Sequence, residues 1–329
     1  MTRKLLIFLT ILTLLLGAVA TVSAQSAQGE DAAIGVMLPS VNGDFYDGMI
    51  EGLNIAAETL GVTLTILDSE YDLELEAENI ATLIEDGVDA LLFTPVDAVE
   101  SLAVIEAANE ADIPVFLIGE NAELSAAEVE IVSLIGIDNT VGGEAAAEYV
   151  CASLEDGGTV LELSVTFEQE NALLAEVYAE RSAAFAAYLD ETCEAEFTIE
   201  ALDMTGVRAR DMVGVIGDAL LESEAVAVYA HNENLILGSV RPVLRNDLDV
   251  LLIGYDATED TLGALQIGSL DAVVSVSGAD LGVTGLETAL AFLDGDEVED
   301  KVSLNPFVVN AEAIMQVRDC NENDSCQDN

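Results

Sequence analysis

Two polar residues stand just after two buried strands in the segment Ala225–Thr258. The apolar runs Val226–Tyr229 and Val250–Ile253 predict strands, with a helical segment between them. Asn232 follows the first strand and Asp256 follows the second. In an open parallel α/β sheet, ligands bind just beyond the carboxyl ends of the strands. The segment therefore offers an amide and a carboxylate, side by side, at the edge where such a sheet holds small molecules.

A pair of adjacent aromatic residues, Phe45 and Tyr46, follows the first predicted strand of the chain. The sequence has no Trp and is 5% aromatic, and such a pair can form a stacking platform for the C–H face of a sugar. Packing of one ring in the core, with the other over a loop, explains the pair equally well. Because adjacent residues at a helix start face different ways, we expect one ligand contact, not necessarily two.

Two further strand ends carry polar residues. The fourth predicted strand ends in Gly119, where a ligand can approach closely, followed by Glu120 and Asn121, which can accept and donate hydrogen bonds. A solvated loop is an equal alternative, because the sequence is rich in Glu. The third strand is followed by Asp97, which is interpreted as structural, as a cap for a helix predicted from Ala98.

Positive side chains are scarce, so their positions are informative. Of nine Lys and Arg, two lie in the first four residues, which leaves seven for the rest of the chain. Arg181 lies on a predicted helix, and its guanidinium suits paired hydroxyls or a carboxylate, while Arg208 and Arg210 can point into the same cleft. An ordinary surface ion pair is the alternative for each. His231, the only His, is interpreted as structural because its neighbour Asn232 has the better strand-end position.

No catalytic constellation emerges from the sequence. One His serves the whole chain without a nucleophile elbow, and there is no phosphate loop ending in Gly-Lys-Ser/Thr. Acidic residues are everywhere, and nothing in their spacing favours the paired carboxylates of a glycosidase. A metal site from the four cysteines is not expected, because the chain has a single His and the cysteines are not in paired short spacings, and no cofactor is predicted. The sequence therefore gives no support for an enzyme.

The first 24 residues have the three parts of a secretory signal peptide. Arg3 and Lys4 precede the apolar run Leu5–Leu16 and the small-residue cleavage pattern Val22–Ala24. The apolar run is shorter than the roughly 20 residues of a membrane span, so we expect an exported protein. The net charge of −54 argues against nucleic acid as a partner and is interpreted as a solvated acidic coat.

Four cysteines in an exported chain suggest disulfides. Cys151 ends one predicted helix and Cys193 follows another, while Cys320 and Cys326 lie in a short polar tail. We predict the pairs Cys151–Cys193 and Cys320–Cys326, although spacing alone leaves other pairings open.

Short apolar runs alternate with helical segments along the chain from Ala33, ending in an extended run at Val302–Val309. This alternation predicts parallel sheets covered by helices on both faces, that is, an α/β fold. About 300 residues after the signal peptide suggest two domains. The first change of domain is expected at Ile135–Asn139, and the absence of a low-complexity linker indicates domains joined by several strands.

The order of these segments resembles the ribose-type periplasmic sugar-binding proteins of ABC transporters. The resemblance covers nearly all the mature chain and is carried by IGVMLPSVNGDFYDGMIEG, LTILDSEYD, GVDALLFTPVDA, ANEADIPVF, IGIDNTVGGEAAAEYV, VYAHNENLILG and LLIGYDAT. It implies the periplasmic binding protein type 1 fold, in which two doubly wound parallel-sheet domains, joined by three hinge crossings, close on a ligand. The implied crossings lie near Gly136, Val276 and Asn305. The N-terminal lobe would comprise residues 31–136 and 277–304, and the C-terminal lobe residues 137–276 and 305–318. Residues 319–329 would form a polar tail.

The resemblance also implies a ligand site between the two domains. The family's aromatic after the first strand falls on Phe45, with Tyr46 beside it, and its cleft Arg, amide and carboxylate fall on Arg181, Asn232 and Asp256. The expected protein is a monomeric, exported solute-binding protein for a sugar or polyol, with a membrane permease and its ATPase as partners.

Other positions match the family only in part. A family Asn before the aromatics is replaced by Gly43, with Asn42 one place earlier, and an Asp-Arg pair after the fourth strand is Gly119-Glu120 here. An aromatic of the family's second domain falls near Arg208. Loss of the Asp-Arg pair argues against ribose itself. The alternatives are a carboxylate or amine ligand for the same fold, or a sensory receptor subunit.

Overall fold

The computed structural model describes residues 32–42, 44–97, 99–119, 129–166 and 172–315. The predicted signal peptide, Glu120, the Cys320–Cys326 pair and the polar tail therefore lie outside the described residues. Within those ranges, no helix combines the length and the apolar composition that crossing a membrane requires.

The first sheet has six strands, and all its pairs are parallel. Its strands are β1 (Ala33–Leu38), β2 (Thr63–Asp68), β3 (Ala90–Phe93), β4 (Val115–Ile118), β5 (Ser133–Ile137) and β11 (Lys301–Leu304). The helices packed on it are α1 (Asp44–Leu60), α2 (Leu73–Asp86), α3 (Leu102–Glu110) and α9 (Gly278–Leu293). The strand order is β11-β5-β4-β3-β1-β2. Strands β3 and β4 are buried along their whole length, as expected for a sheet covered on both faces.

The second sheet repeats this plan with one antiparallel edge strand. Its strands are β6 (Gly158–Ser164), β7 (Phe197–Asp203), β8 (Ala227–Ala230), β9 (Leu251–Tyr255), β10 (Ala272–Ser275) and β12 (Phe307–Asn310). Its helices are α4 (Asn139–Ser153), α5 (Ala172–Glu191), α6 (Ala209–Ser223), α7 (Glu233–Asn246) and α8 (Glu259–Gln266). The strand order is β12-β10-β9-β8-β6-β7, and β12 runs antiparallel to β10.

In each sheet the direction of winding reverses at one strand. β1 lies between β2 and β3, and β6 lies between β7 and β8. The prediction of two doubly wound parallel-sheet domains is therefore confirmed. The crevice beyond the carboxyl ends of the strands at such a reversal is the usual ligand position in this architecture.

The described chain passes between the two sheets three times, from β5 to α4, from β10 to α9 and from β11 to β12. These passages lie beside the positions expected near Gly136, Val276 and Asn305. The final extended run is not a single strand: it divides at Asn305-Pro306, so that β11 joins the first sheet and β12 the second. Pro306 has no N–H to donate to a strand ladder, which favours a break there. The limits of the two lobes stay a prediction.

Both faces of each sheet are packed with apolar side chains. Phe116 and Phe93 lie in the two cores of the first domain. In the second domain Val228 and Tyr229, neighbours on β8, point into opposite cores. Burial of one such large side chain stabilises the fold by about 1.5–3 kcal/mol. These cores fix the strands and therefore the positions of the residues at the strand ends.

Two local features supplement the cores. The predicted disulfide between Cys151 and Cys193 is present, with Cα atoms 5.8 Å apart, and it joins the end of α4 to the loop after α5. The helix predicted from Ala98 begins only at Leu102, because Asp97 first accepts two backbone N–H groups and holds a turn. Asp97 is therefore a structural residue of that turn.

Candidate functional site

Asn232 lies at the carboxyl end of β8, where it caps α7. Its Oδ1 accepts a hydrogen bond from the N–H of Leu235 (2.9 Å), and its Nδ2 donates to the hydroxyl of Tyr178 (2.7 Å). The residue is half-buried. Capping and the Tyr178 contact together fix the orientation of the amide. Asn232 is thus a preoriented polar group at the predicted edge of the sheet.

Asp256 follows β9 with a φ of 72°, in the left-handed region. Its backbone N–H donates to the carbonyl oxygen of Val274 (3.0 Å), and its Oδ2 accepts from the N–H of Glu233 (3.3 Å). Residues held in sparsely populated backbone regions cluster at functional sites. Because Glu233 directly follows Asn232, the structure brings the predicted amide and carboxylate together.

Arg181 lies behind this edge and is only 4% exposed. Its Nε donates to Oδ1 of Asn139 (2.9 Å), and its Nη1 donates to the carbonyl oxygen of His231 (3.2 Å). Its guanidinium carbon lies 4.0 Å from the centroid of the Tyr255 ring, within the range of a cation–π contact. The guanidinium is therefore held in one orientation in the wall that carries the two polar side chains.

A hydrogen-bonded pair of ionisable residues lies beneath this wall. Nε2 of His231 is 2.8 Å from Oε1 of Glu162, and the two residues are 1% and 6% exposed. Burial lowers the pKa of His231, and the hydrogen bond with Glu162 opposes this only in part. Burial acts to raise the pKa of Glu162, but the hydrogen bonds from His231 and Ser182 outweigh it, so that this pKa is lowered. At neutral pH the pair is a neutral imidazole that donates to a carboxylate.

Sequence reasoning missed three residues of this wall: Glu162, Tyr178 and Tyr255. Tyr178 stacks on the imidazole of His231, with centroids 4.8 Å apart and planes 20° from parallel. A signal for Glu162 was present, since it is an acidic residue inside an apolar strand of a covered sheet, where a carboxylate needs a buried partner. Nothing in the sequence marks Tyr178 or Tyr255.

The first domain contributes Phe45 and Tyr46 at the start of α1. Their rings meet edge to face with centroids 5.4 Å apart, and both are half-buried against the core of the first domain. A Cβ added at Gly278 would lie 2.5 Å from the carbonyl oxygen of Phe45, so α9 packs directly on the backbone here. The start of α1 is therefore rigid, and its rings combine core packing with partial exposure.

Two other predicted residues lie on the surface. Asn42 is exposed, and its backbone N–H donates to Oγ of Ser40 (3.1 Å). Arg208 is 66% exposed in its side chain and pairs with Asp211 at 2.7 Å, which is the surface ion pair given above as the alternative. Among the described residues no group of three or more His, Cys, Asp and Glu could hold a metal ion.

An open cavity of about 660 Å³ separates the two domains beside these residues. Its lining comes from α1 on one side and from Ala257 and α8 on the other. Asp47 of this lining directly follows Tyr46, and Ala257 directly follows Asp256. The aromatic pair and the carboxylate therefore lie one residue away from the lining on opposite sides of this cavity, whose volume suits a small molecule.

Two doubly wound domains, three passages between them and polar strand ends beside an interdomain cavity define a two-domain α/β protein of the kind in which small molecules bind at the strand ends. The chain belongs to the family described as periplasmic binding protein domain, which matches residues 34–297.

Known relatives cover most of the chain. It is 27% identical over 282 residues to Ribose import binding protein RbsB of Bacillus subtilis (strain 168), with 85% of this chain and 88% of the relative covered. It is 29% identical over 284 residues to the protein of the same name from Escherichia coli (strain K12), with 86% and 91% covered. A periplasmic ribose ABC transporter structure from Conexibacter woesei DSM 14684 has the same fold, with a TM-score of 0.76 at 21% identity over 92% of this chain and 99% of that one.

Proposed function

We propose that the chain is the extracytoplasmic solute-binding protein of an ABC importer, and that it binds a sugar or polyol between its domains by hinge closure. The observation that supports this proposal is the neighbouring position of Asn232 and Asp256 at the strand ends, next to an interdomain cavity lined by residues that directly follow Asp256 and Tyr46. The relatives named as ribose import binding proteins support the same function.

The chemistry of these side chains suits a neutral polyhydroxylated ligand. An amide both donates and accepts hydrogen bonds, and an ionised carboxylate accepts two or more from hydroxyl groups. Asn232, Asp256 and Arg181 share the ligand hydroxyls in this proposal, and Phe45 stacks on the C–H face of the ring. Each of the three polar groups is already oriented by protein contacts, so little side-chain ordering is left for binding.

Closure of the gap makes these contacts effective. Three passages of chain between the sheets form the hinge, and closing it excludes water, which strengthens the hydrogen bonds inside. A micromolar Kd corresponds to about −8 kcal/mol. One aromatic stack with several charge-assisted hydrogen bonds is sufficient for that affinity after the entropy lost on association.

The geometry favours this ligand class over a carboxylate. A carboxylate held by Arg181 and Arg208 would need both guanidinium groups, but Arg208 pairs with Asp211 on the surface. Arg181 already donates to Asn139, and Asp256 would repel an anion.

Titration calorimetry of the mature chain tests the proposal with D-ribose, D-fructose, L-arabinose, D-allose, myo-inositol and glycerol. We expect heat from at least one sugar or polyol, with an affinity that Asp256→Asn lowers about tenfold or more. Asp271→Asn is the matched control, because Asp271 lies at the opposite, amino edge of the same sheet and accepts from Leu252 N–H (2.7 Å). No heat from any of these compounds, with circular dichroism showing a folded protein, would overturn the proposal.

Export and delivery belong to the same proposal. The signal peptide directs the chain out of the cytoplasm, and a monomer delivers its ligand to a membrane permease with its ATPase. N-terminal sequencing of secreted protein should begin at Gln25. A secreted chain that retains residues 1–24 would contradict this part of the proposal.

A further inference from the structure

We infer that His231 is a positioning residue of the binding wall and that its protonation is coupled to ligand binding; this rests on the function proposed above. The sequence alone gives it a structural role, and the structure shows which side chains that role serves.

His231 contacts the residues that orient both the Asn232 amide and the Arg181 guanidinium. Its imidazole stacks on the ring of Tyr178, whose hydroxyl accepts the hydrogen bond from Nδ2 of Asn232 (2.7 Å). Its carbonyl oxygen accepts from Nη1 of Arg181 (3.2 Å). A displacement of His231 therefore moves the amide and the guanidinium together, although His231 itself is 1% exposed.

Glu162 holds the imidazole from below at 2.8 Å, inside the strand β6. Taking an ionised carboxylate out of water costs several kcal/mol, and apolar side chains of the same volume are often as stable or more so. A Glu–His pair in this place is therefore poorly explained by stability alone. Its specific contribution is orientation, because a directional hydrogen bond fixes the ring plane on which Tyr178 stacks.

Protonation of His231 would disturb this arrangement. The ionisable groups that face the imidazole are Glu162 on β6, Tyr178 and Arg181 on α5, Tyr229 on β8 and Tyr255 on β9. In the neutral ring Nε2–H donates to Glu162, and Nδ1 has no hydrogen-bond partner among the described residues. An added proton makes Nδ1 a buried donor and places a second positive charge near Arg181.

The sign of the coupling follows from closure. Closing the gap removes water from the wall, which disfavours the protonated ring more in the closed state than in the open one. The pKa of His231 is therefore lower with ligand than without it. Affinity is highest above the pKa of the open form and falls as the pH drops through that pKa. A difference of one pKa unit corresponds to about a tenfold rise in Kd at acid pH.

The chain offers a direct probe, because His231 is its only His. The imidazole Cε1–H signal in NMR spectra of untagged mature protein reports this one group. It should be titrated from about pH 4.5 to 8, without ligand and with saturating D-ribose or the panel sugar that calorimetry shows to bind most tightly. We expect a pKa below the ordinary 6.5 in the unliganded protein, a further decrease with sugar, and a matching rise of Kd in acid.

Two variants separate positioning from folding. His231→Gln keeps a donor for Glu162 but removes the ring on which Tyr178 stacks, so the Kd at neutral pH should rise several-fold and the pH dependence of Kd should be lost. The double variant Glu162→Leu/His231→Leu removes the buried pair without leaving a lone charge, so it should keep its Tm while Kd rises about tenfold or more.

Suppose that a sugar binds, that the pKa of His231 is the same with and without the sugar, and that the double variant binds with an unchanged Kd. These results would overturn this inference and leave the proposed function standing. Absence of heat from every compound of the panel would overturn the proposed function and this inference with it.

Discussion

Substitution of Asp256 should separate the stability of the second domain from its ability to bind. Its φ of 72° lies in a region that costs a non-Gly residue about 1–2 kcal/mol and that Gly adopts readily. Asp256→Gly removes this strain together with the hydrogen bond from Glu233 N–H (3.3 Å), which contributes about 1 kcal/mol. The two effects nearly cancel, so the free energy of unfolding should change by less than about 1 kcal/mol.

Asp256→Ala is the informative comparison, because it loses the same hydrogen bond and keeps the strained backbone. It should be less stable than Asp256→Gly by about 1 kcal/mol, or about 2–4 °C in Tm for a domain of this size. Both variants remove the carboxylate that accepts ligand hydroxyls in our proposal. Loss of a hydrogen bond to a charged group costs about 1.5–3 kcal/mol, so Kd should rise about 10- to 150-fold.

Urea unfolding measures the first effect and calorimetry with the tightest-binding sugar of the panel measures the second. A Gly variant no more stable than the Ala variant would refute the argument from backbone strain. A Kd within twofold of the wild type in both variants would refute the role of Asp256 in binding.

Three further predictions concern the frame around the site. Replacing Cys151 and Cys193 by Ser opens a loop with a sequence separation of 42 and should lower the free energy of unfolding by up to about 4 kcal/mol; equal urea midpoints with and without the disulfide would contradict this. Burial raises the pKa of Glu76, so the free energy of unfolding falls as the pH rises from the pKa of the unfolded chain to the higher pKa of the folded protein. Glu76→Gln should therefore stabilise the protein near pH 7 but not near pH 4. Urea unfolding at both pH values tests this prediction. Gly52→Ala places a methyl group against the backbone of α9 and should lower the free energy of unfolding by about 1–3 kcal/mol. Gly214→Ala on α6 places its methyl group in open space and should raise the free energy of unfolding by up to about 1 kcal/mol. A higher Tm for Gly52→Ala than for Gly214→Ala would exclude the close packing of α1 on α9.

The positions of Asn232 and Asp256 could be predicted because they depend on a local signal. An apolar run ends where the strand ends, and the parallel topology then brings the ends of neighbouring strands to the same edge. The division of the last extended run could not be predicted in this way. Residues before and after Pro306 have the same strand-like composition, and only long-range pairing assigns them to different sheets.

The two arginines show the same limit on the site itself. Arg181 and Arg208 are equal candidates by residue type, but Arg181 lies within a helix packed on the sheet, whereas Arg208 lies at an exposed helix start beside an acid three residues on. Tyr178 reaches Asn232 across a sequence separation of 54, so no local pattern reveals the contact. Side-chain direction depends on how elements pack, and that information is distributed over the whole chain.

Several features that oppose stability lie close together in one wall of the second domain. Asp256 has a left-handed backbone, Glu162 and His231 form a buried ionisable pair, and Arg181 has its guanidinium almost fully out of water. Together these contacts orient the wall before a ligand arrives, which spares the roughly 0.5–1.5 kcal/mol that ordering each free side chain would cost on binding. Affinity should then depend on how readily the hinge closes and on how well a ligand fits a fixed set of hydrogen-bonding groups. A rigid wall of this kind discriminates between stereoisomers of a polyhydroxylated ring, because a misplaced hydroxyl leaves one of its groups buried without a partner.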